Sequence, residues 1–168
     1  MAEYLSLINR NTVDGRCDVT PIFADPAAFS ALVEDMLAPF RNLGPEIVVG
    51  IDALGFIVGA ALALRLKVGF VPIRKAGKLP VPADGEVFVD YSGLDKALEL
   101  AKSSIKSGER VLIADEWVET GTQVSAAIRL VERQGGVVVG VAAINIDENE
   151  RTLALRAKYF CRAACRAQ

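Results

Sequence analysis

At 168 residues, with Lys+Arg 19 against Asp+Glu 21, the chain has the length of one domain and a formal net charge of -2, so no basic excess points to a nucleic-acid partner. It has no histidine, which excludes Ser-His and Cys-His nucleophiles, HExxH metal sites and His-type zinc fingers, and leaves carboxylates, Lys, Tyr, Cys or the substrate itself as acid and base. The longest unbroken apolar run, residues 53–64, is too short to span a bilayer, the opening M-A-E-Y-L-S lacks a signal peptide's pattern, and Cys17, Cys161 and Cys165 form no CxxC pair; the expectation is a cytoplasmic protein with reduced thiols and no membrane contact.

In chain order, Asp14-Gly15 marks a turn, and Asp25 before Pro26 predicts a capped helix start. Phe29, Leu32, Val33, Met36 and Leu37 carry the helix on until Pro39 ends it near Ala38. Ile47–Ile51 reads as a buried strand, then a glycine-containing loop, then a helix over about 56–66 that is apolar nearly all round. Glycines 50, 55 and 59 fit neither GxGxxG nor GxxxxGK[ST], which excludes a dinucleotide fingerprint and a Walker loop. Phe70–Ile73 is a short strand. Residues 74–93, with two prolines and three glycines, read as a long excursion and an active-site lid, in which Glu86–Asp90 alternates like a strand exposed on one face.

Ser92 to Asp95 has the form of a capping box, predicting a helix with Leu94, Ala97, Leu98, Ala101 and Ile105 on its inner face. Val111–Ala114 is an apolar strand with Asp115 and Glu116 at its exposed carboxyl end. A loop over 117–120 follows, then a helix opening at Gly121 with Val124, Ala127, Ile128 and Val131 buried. Residues 136–144 are nearly all apolar, a strand covered on both faces. A polar turn over 147–151 and a short strand over 158–161 close the chain. No repeat or linker divides residues 1–168, and the order predicts one α/β domain, a doubly wound, mostly parallel sheet with helices on both faces.

In such sheets ligands bind beyond the carboxyl ends of the strands. There Thr120, Gly121 and Thr122 offer hydroxyls and helix N-terminal N–H groups to a phosphate, and Asp115 and Glu116 suit sugar hydroxyls and a divalent metal. The run D-E-W-V-E-T-G-T at 115–122 resembles the phosphoribosyl-pyrophosphate motif of type I phosphoribosyltransferases. D-V-T-P-I-F-A-D-P-A-A-F at 18–29, V-V-G-I-D-A-L-G-F at 48–56 and V-P-I-R-K-A-G-K-L-P at 71–80 are similar, in order, to segments of the adenine phosphoribosyltransferases within that group.

The resemblance implies Mg2+-dependent transfer of ribose 5-phosphate from phosphoribosyl pyrophosphate to a purine nucleobase, adenine first, in purine salvage by a homodimer. It also implies a small hood built from the N- and C-terminal segments. Asp115 and Glu116 would hold the ribose hydroxyls; Thr120, Gly121, Thr122 and Gln123 would cradle the 5-phosphate. Arg74, Lys75 and Lys78 would meet pyrophosphate or close the lid, and a cis peptide is implied at Asp52-Ala53.

The chain also departs from the family's pattern. Leu54 stands where the pyrophosphate loop has arginine, Arg16 (beside Cys17) where an aromatic stacks on the purine, and Gln123 where the phosphate loop ends in threonine. The lid's E-Y-G is not preserved near Asp90-Tyr91-Ser92-Gly93. Glu119 replaces a small residue, at the position where hypoxanthine-guanine enzymes carry an aspartate that handles the N7 proton; it is read as the acid or base, or else as a solvent-facing loop glutamate. These departures keep open a different purine or heterocycle as acceptor, or a catalytically silent regulator that binds the sugar donor or a nucleotide.

Overall fold

The computed structural model describes residues 2–13, 17–90 and 93–165. Among these, seven strands form one sheet in the order β3-β4-β2-β1-β5-β6-β7. The parallel part comprises β2 (Gly69–Lys75), β1 (Ile47–Ile51), β5 (Arg110–Val118), β6 (Val137–Ile146) and β7 (Cys161–Ala163). An antiparallel hairpin, β3 (Ala83–Val89) and β4 (Asp95–Ala101), extends the edge at β2.

Successive side chains of a strand point to opposite faces, and the two cores divide accordingly. Val49, Ile51, Val111, Ile113, Val141 and Ala143 face α4 (Thr122–Arg133) and α5 (Glu150–Lys158). Val48, Leu112, Ala114, Ala142 and Ile144 face α1 (Thr20–Ala24), α2 (Pro26–Leu37) and α3 (Gly55–Leu66). The sheet is thus covered on both faces, as expected, and its inner strands are near-continuous apolar runs for that reason. Asp25 caps α2 by accepting from the N–H groups of Ala27 and Ala28 at 2.9 and 2.8 Å.

The terminal segments meet on the α1–α3 face. Asn9 and Asp18 form an antiparallel bridge, Tyr4 donates to Asp35 at 2.7 Å, and the N–H of Cys165 donates to the carbonyl of Ile144 at 2.8 Å.

Three expectations are corrected. The helix predicted after Ser92 is the strand β4: Leu98 and Leu100 alternate into the core, and its backbone pairs with β3 from Asp95 to Ala101. The good helix formers of D-K-A-L-E-L-A yield to this tertiary pairing. Between β3 and β4 the Asp90 N–H donates to the Leu94 carbonyl at 3.0 Å, the Gly93 N–H donates to the Asp90 carbonyl at 3.1 Å, and Gly93 has φ 77. Second, the excursion is not one long loop: the strand expected near 86–90 is β3, which pairs with β4 and is braced on α4 by ion pairs from Glu86 to Arg129 and Arg133. Third, the polar turn at 147–151 starts α5, capped reciprocally by Asn149 and Thr152, so the last strand is displaced to Cys161–Ala163.

Candidate active site

A cavity of about 1090 Å3 opens at the carboxyl ends of the central strands. Residues 52–54 form one wall, 95–98 of the hairpin another, and 115–124 the floor, with Cys17 and Asp147 also lining it. A smaller cavity of about 640 Å3 between α4, α5 and β3 shares Gly121 and Thr122 with it, but no acidic pair lines that space.

β5 runs four residues past Ala114, its last partner on β1, carrying Asp115 and Glu116 to the floor. The expected exposed acidic pair is only half exposed. Asp115 is 3% exposed, whereas Glu116 is half-buried. Burial pushes the Asp115 carboxyl well above the ordinary carboxylate range; the neighbouring carboxylates Glu116 and Glu119 push the same way, and the Glu116 N–H, donating to Oδ1 at 2.9 Å, opposes them. The predicted loop over 117–120 is shorter than expected, because β5 continues to Val118.

Gly121 then turns the chain with φ 76, and α4 starts with no side chain capping it. The hydroxyls of Thr120 and Thr122 lie 2.9 Å apart at this open N-terminus, and Ser125 donates back to the Gly121 carbonyl at 2.8 Å. The Thr122 N–H reaches only the Thr120 hydroxyl, at 3.4 Å, and a helix N-terminus of this kind suits an anion.

Opposite it, β1 leads into residues 52–54. The Asp52-Ala53 peptide bond is cis, as the resemblance implied, and the Asp52 N–H donates to the Ile73 carbonyl at 3.0 Å. Arg74 Nε stands 3.8 Å from Asp52 Oδ2 and is buried without a hydrogen-bond partner among the described residues, while Nη1 donates to the Lys78 carbonyl at 2.9 Å. Lys75 lines the cavity; the side chain of Lys78 is exposed at the turn, outside the lining. Leu54 lines the cavity and packs half-buried on the α1–α3 core. Glu119 and Gln123 are half-buried in the lining, so Glu119 is not a fully solvated loop residue. Arg16, Tyr91 and Ser92 lie outside the described residues.

Sequence reasoning missed the support behind this floor. Asn149 donates to the Glu119 carbonyl at 2.7 Å, and the Asp147 N–H donates to the Val118 carbonyl at 2.9 Å. The buried Thr152 packs so near Gly121 that a Cβ there would lie 3.3 Å from its methyl group. The signal was present in N-x-x-T at 149–152, a capping box at a helix start.

The phosphoribosyl transferase domain family matches residues 25–163. An adenine phosphoribosyltransferase of Roseobacter denitrificans is 42% identical over 127 residues, 76% of this chain and 72% of that one. The crystal structure of an adenine phosphoribosyltransferase from Thermoanaerobacter pseudethanolicus superposes with a TM-score of 0.90 at 29% identity, covering 96% of each chain. The Saccharomyces cerevisiae enzyme, solved with an imino-altritol bisphosphate and adenine, gives 0.83 at 28% identity, over 98% of this chain and 100% of that one.

Proposed function

Because the chain belongs to the phosphoribosyltransferase family, among its adenine phosphoribosyltransferases, we propose that it transfers ribose 5-phosphate from phosphoribosyl pyrophosphate to adenine in purine salvage, releasing pyrophosphate. One observation carries the reading at this site: the acidic pair, the uncapped N-terminus of α4 and the 52–54 loop converge on one cavity. The three correspond in turn to the donor's sugar hydroxyls, 5-phosphate and pyrophosphate.

Thr120, Gly121, Thr122 and the Gln123 N–H hold the 5-phosphate at the helix N-terminus. Asp115 and Glu116 accept from the ribose hydroxyls, and their negative field favours the positive charge that develops at C1 as its bond to pyrophosphate breaks. Leu54 brings no charge to the pyrophosphate; the Arg74 guanidinium, with its unpaired buried Nε beside Asp52, and Lys75 supply it. Lys78, exposed at the turn after β2, closes over the bound donor as part of the lid. Glu119 takes or returns the purine proton as N9 bonds to C1.

The donor set fits Mg2+ held largely through substrate oxygens: the acidic pair offers hard oxygen ligands, and the described residues contain no cluster of three or more metal-ligating side chains. When bound, Mg2+ offsets the charge of the departing pyrophosphate. Homodimerisation is supported by Ile57 and Leu64, 41% and 80% exposed on one side of α3. Cytoplasmic residence is supported by three unpaired cysteines. The testing experiment incubates the protein with phosphoribosyl pyrophosphate and adenine and measures pyrophosphate release. The reading expects release with Mg2+ and none with EDTA; no release with Mg2+ would remove it.

A further inference from the structure

We propose that Asp147 and Trp117 read the base, Trp117 as the surface the ring lies against and Asp147 as the acceptor for an exocyclic amine. This rests on the phosphoribosyl-transfer reading of the same cavity. Trp117 directly follows the acidic pair, lines the cavity, and packs half-buried on the α1–α3 core together with Cys17 of the N-terminal segment. An acceptor attacking C1 of a ribose held by Asp115 and Glu116 must lie beside the acids, over the stretch of the floor between them and Glu119. The aromatic side chain next along β5 stands there, and stacking on a base is sequence-tolerant and strong, lost on alanine substitution.

Asp147 fixes this indole and is itself fixed. Its Oδ1 accepts from Trp117 Nε1 at 3.0 Å and from Asn145 Nδ2 at 2.7 Å, and its N–H is bonded to the Val118 carbonyl at 2.9 Å. Both donors take the same oxygen. Oδ2 accepts no hydrogen bond among the described residues, and Asp147 lines the cavity. A carboxylate is acceptor-only, so this free oxygen matches the 6-amino group of adenine and opposes the 6-oxo group of hypoxanthine or guanine. A site that hydrogen-bonds one group rejects the analogue lacking it far more strongly than an apolar pocket does.

The arrangement makes Asp147→Asn a directed test. Trp117 and Asn145 both donate, so they hold the new amide with its oxygen in the place of Oδ1 and turn its NH2 into the cavity. That group donates to a 6-oxo purine and has nothing to accept from adenine. The expected result is a KM for adenine raised about ten- to hundredfold, the range for a hydrogen bond to a charged group. The KM for phosphoribosyl pyrophosphate should be unchanged and hypoxanthine use should rise. A preference for adenine over hypoxanthine within about threefold of wild type would overturn the proposal.

A second measurement needs no variant. Trp117 is the chain's only tryptophan, so its emission should be quenched by AMP and not by ribose 5-phosphate, which fills the sugar and phosphate positions alone. Calorimetric binding of AMP without any change in emission would overturn the assignment while leaving the enzymatic reading in place. Absence of binding by both ligands, together with no pyrophosphate release, would instead remove both.

Discussion

The Asp115 carboxylate lies directly against the backbone of Gly55: a methyl group at Gly55 would stand 3.1 Å from Oδ1 and 2.9 Å from the Ala114 carbonyl. The close approach lets the first turn of α3 rest on the end of β5, sealing the acid from solvent. Gly55→Ala forces backbone apart at this contact and should cost about 1–3 kcal/mol, read as a lowered midpoint of urea unfolding. Turnover should fall with it, because the 52–54 loop moves with α3.

The buried acid also sets a pH dependence. Burial, then the neighbouring carboxylates, raise the folded-state value of Asp115 above 3.8. A raised carboxyl contributes stability that is full below the unfolded value and is lost as pH rises through the folded value. Asp115→Asn should therefore be more stable than wild type near neutral pH, with the difference closing toward the acid end. Unfolding curves at several pH values check the sign, and a variant less stable at neutral pH would show that the ionised acid is well solvated.

Glu119→Gln should lower kcat by roughly 10²–10⁴, the range for a lost general acid or base, with little change in the KM for phosphoribosyl pyrophosphate. Its carboxylate is close enough to the floor to raise the Asp115 carboxyl, after burial and Glu116. Steady-state kinetics at saturating donor give the measurement. Wild-type turnover would return the search to Asp90 in the hairpin turn.

Leu54→Arg should tighten pyrophosphate binding about tenfold by adding a charge-assisted contact. Leu54 lines the cavity, so the longer side chain has room to reach inward. Calorimetry with pyrophosphate and Mg2+ tests this; unchanged affinity would mean that Arg74 already meets the whole charge.

Asn149→Ala removes the cap of α5 and the bond to the Glu119 carbonyl. About 1 kcal/mol of stability should be lost, and the KM for phosphoribosyl pyrophosphate should rise as the phosphate loop loosens. A stability loss with an unchanged KM would separate the cap from the brace.

The parallel strands and α2, α3 and α4 were legible because their apolar residues recur with the period of one element, and because Asp25-Pro26 and Gly121 mark helix starts by local chemistry. The β3–β4 hairpin was not. Asp95 to Ala101 carries good helix formers, and only its pairing with β3 and the burial of Leu98 and Leu100 decide for strand. The site's residue types were likewise legible from Asp115 to Gln123, since the acids and the Thr-Gly turn are contiguous. The burial of Asp115 depends on Gly55, sixty residues earlier in the chain. The Trp117–Asp147 bond joins β5 to the residue just past the end of β6, and neither partner names the other in sequence.

The most direct test of the account is AMP formation from radiolabelled adenine and phosphoribosyl pyrophosphate, by wild type and by Asp115→Asn with Glu116→Gln. The account predicts Mg2+-dependent AMP synthesis by wild type and near-complete loss in the double variant, with its circular dichroism and unfolding midpoint not reduced. Wild-type rates in the double variant, or no AMP from wild type with Mg2+ present, would contradict it.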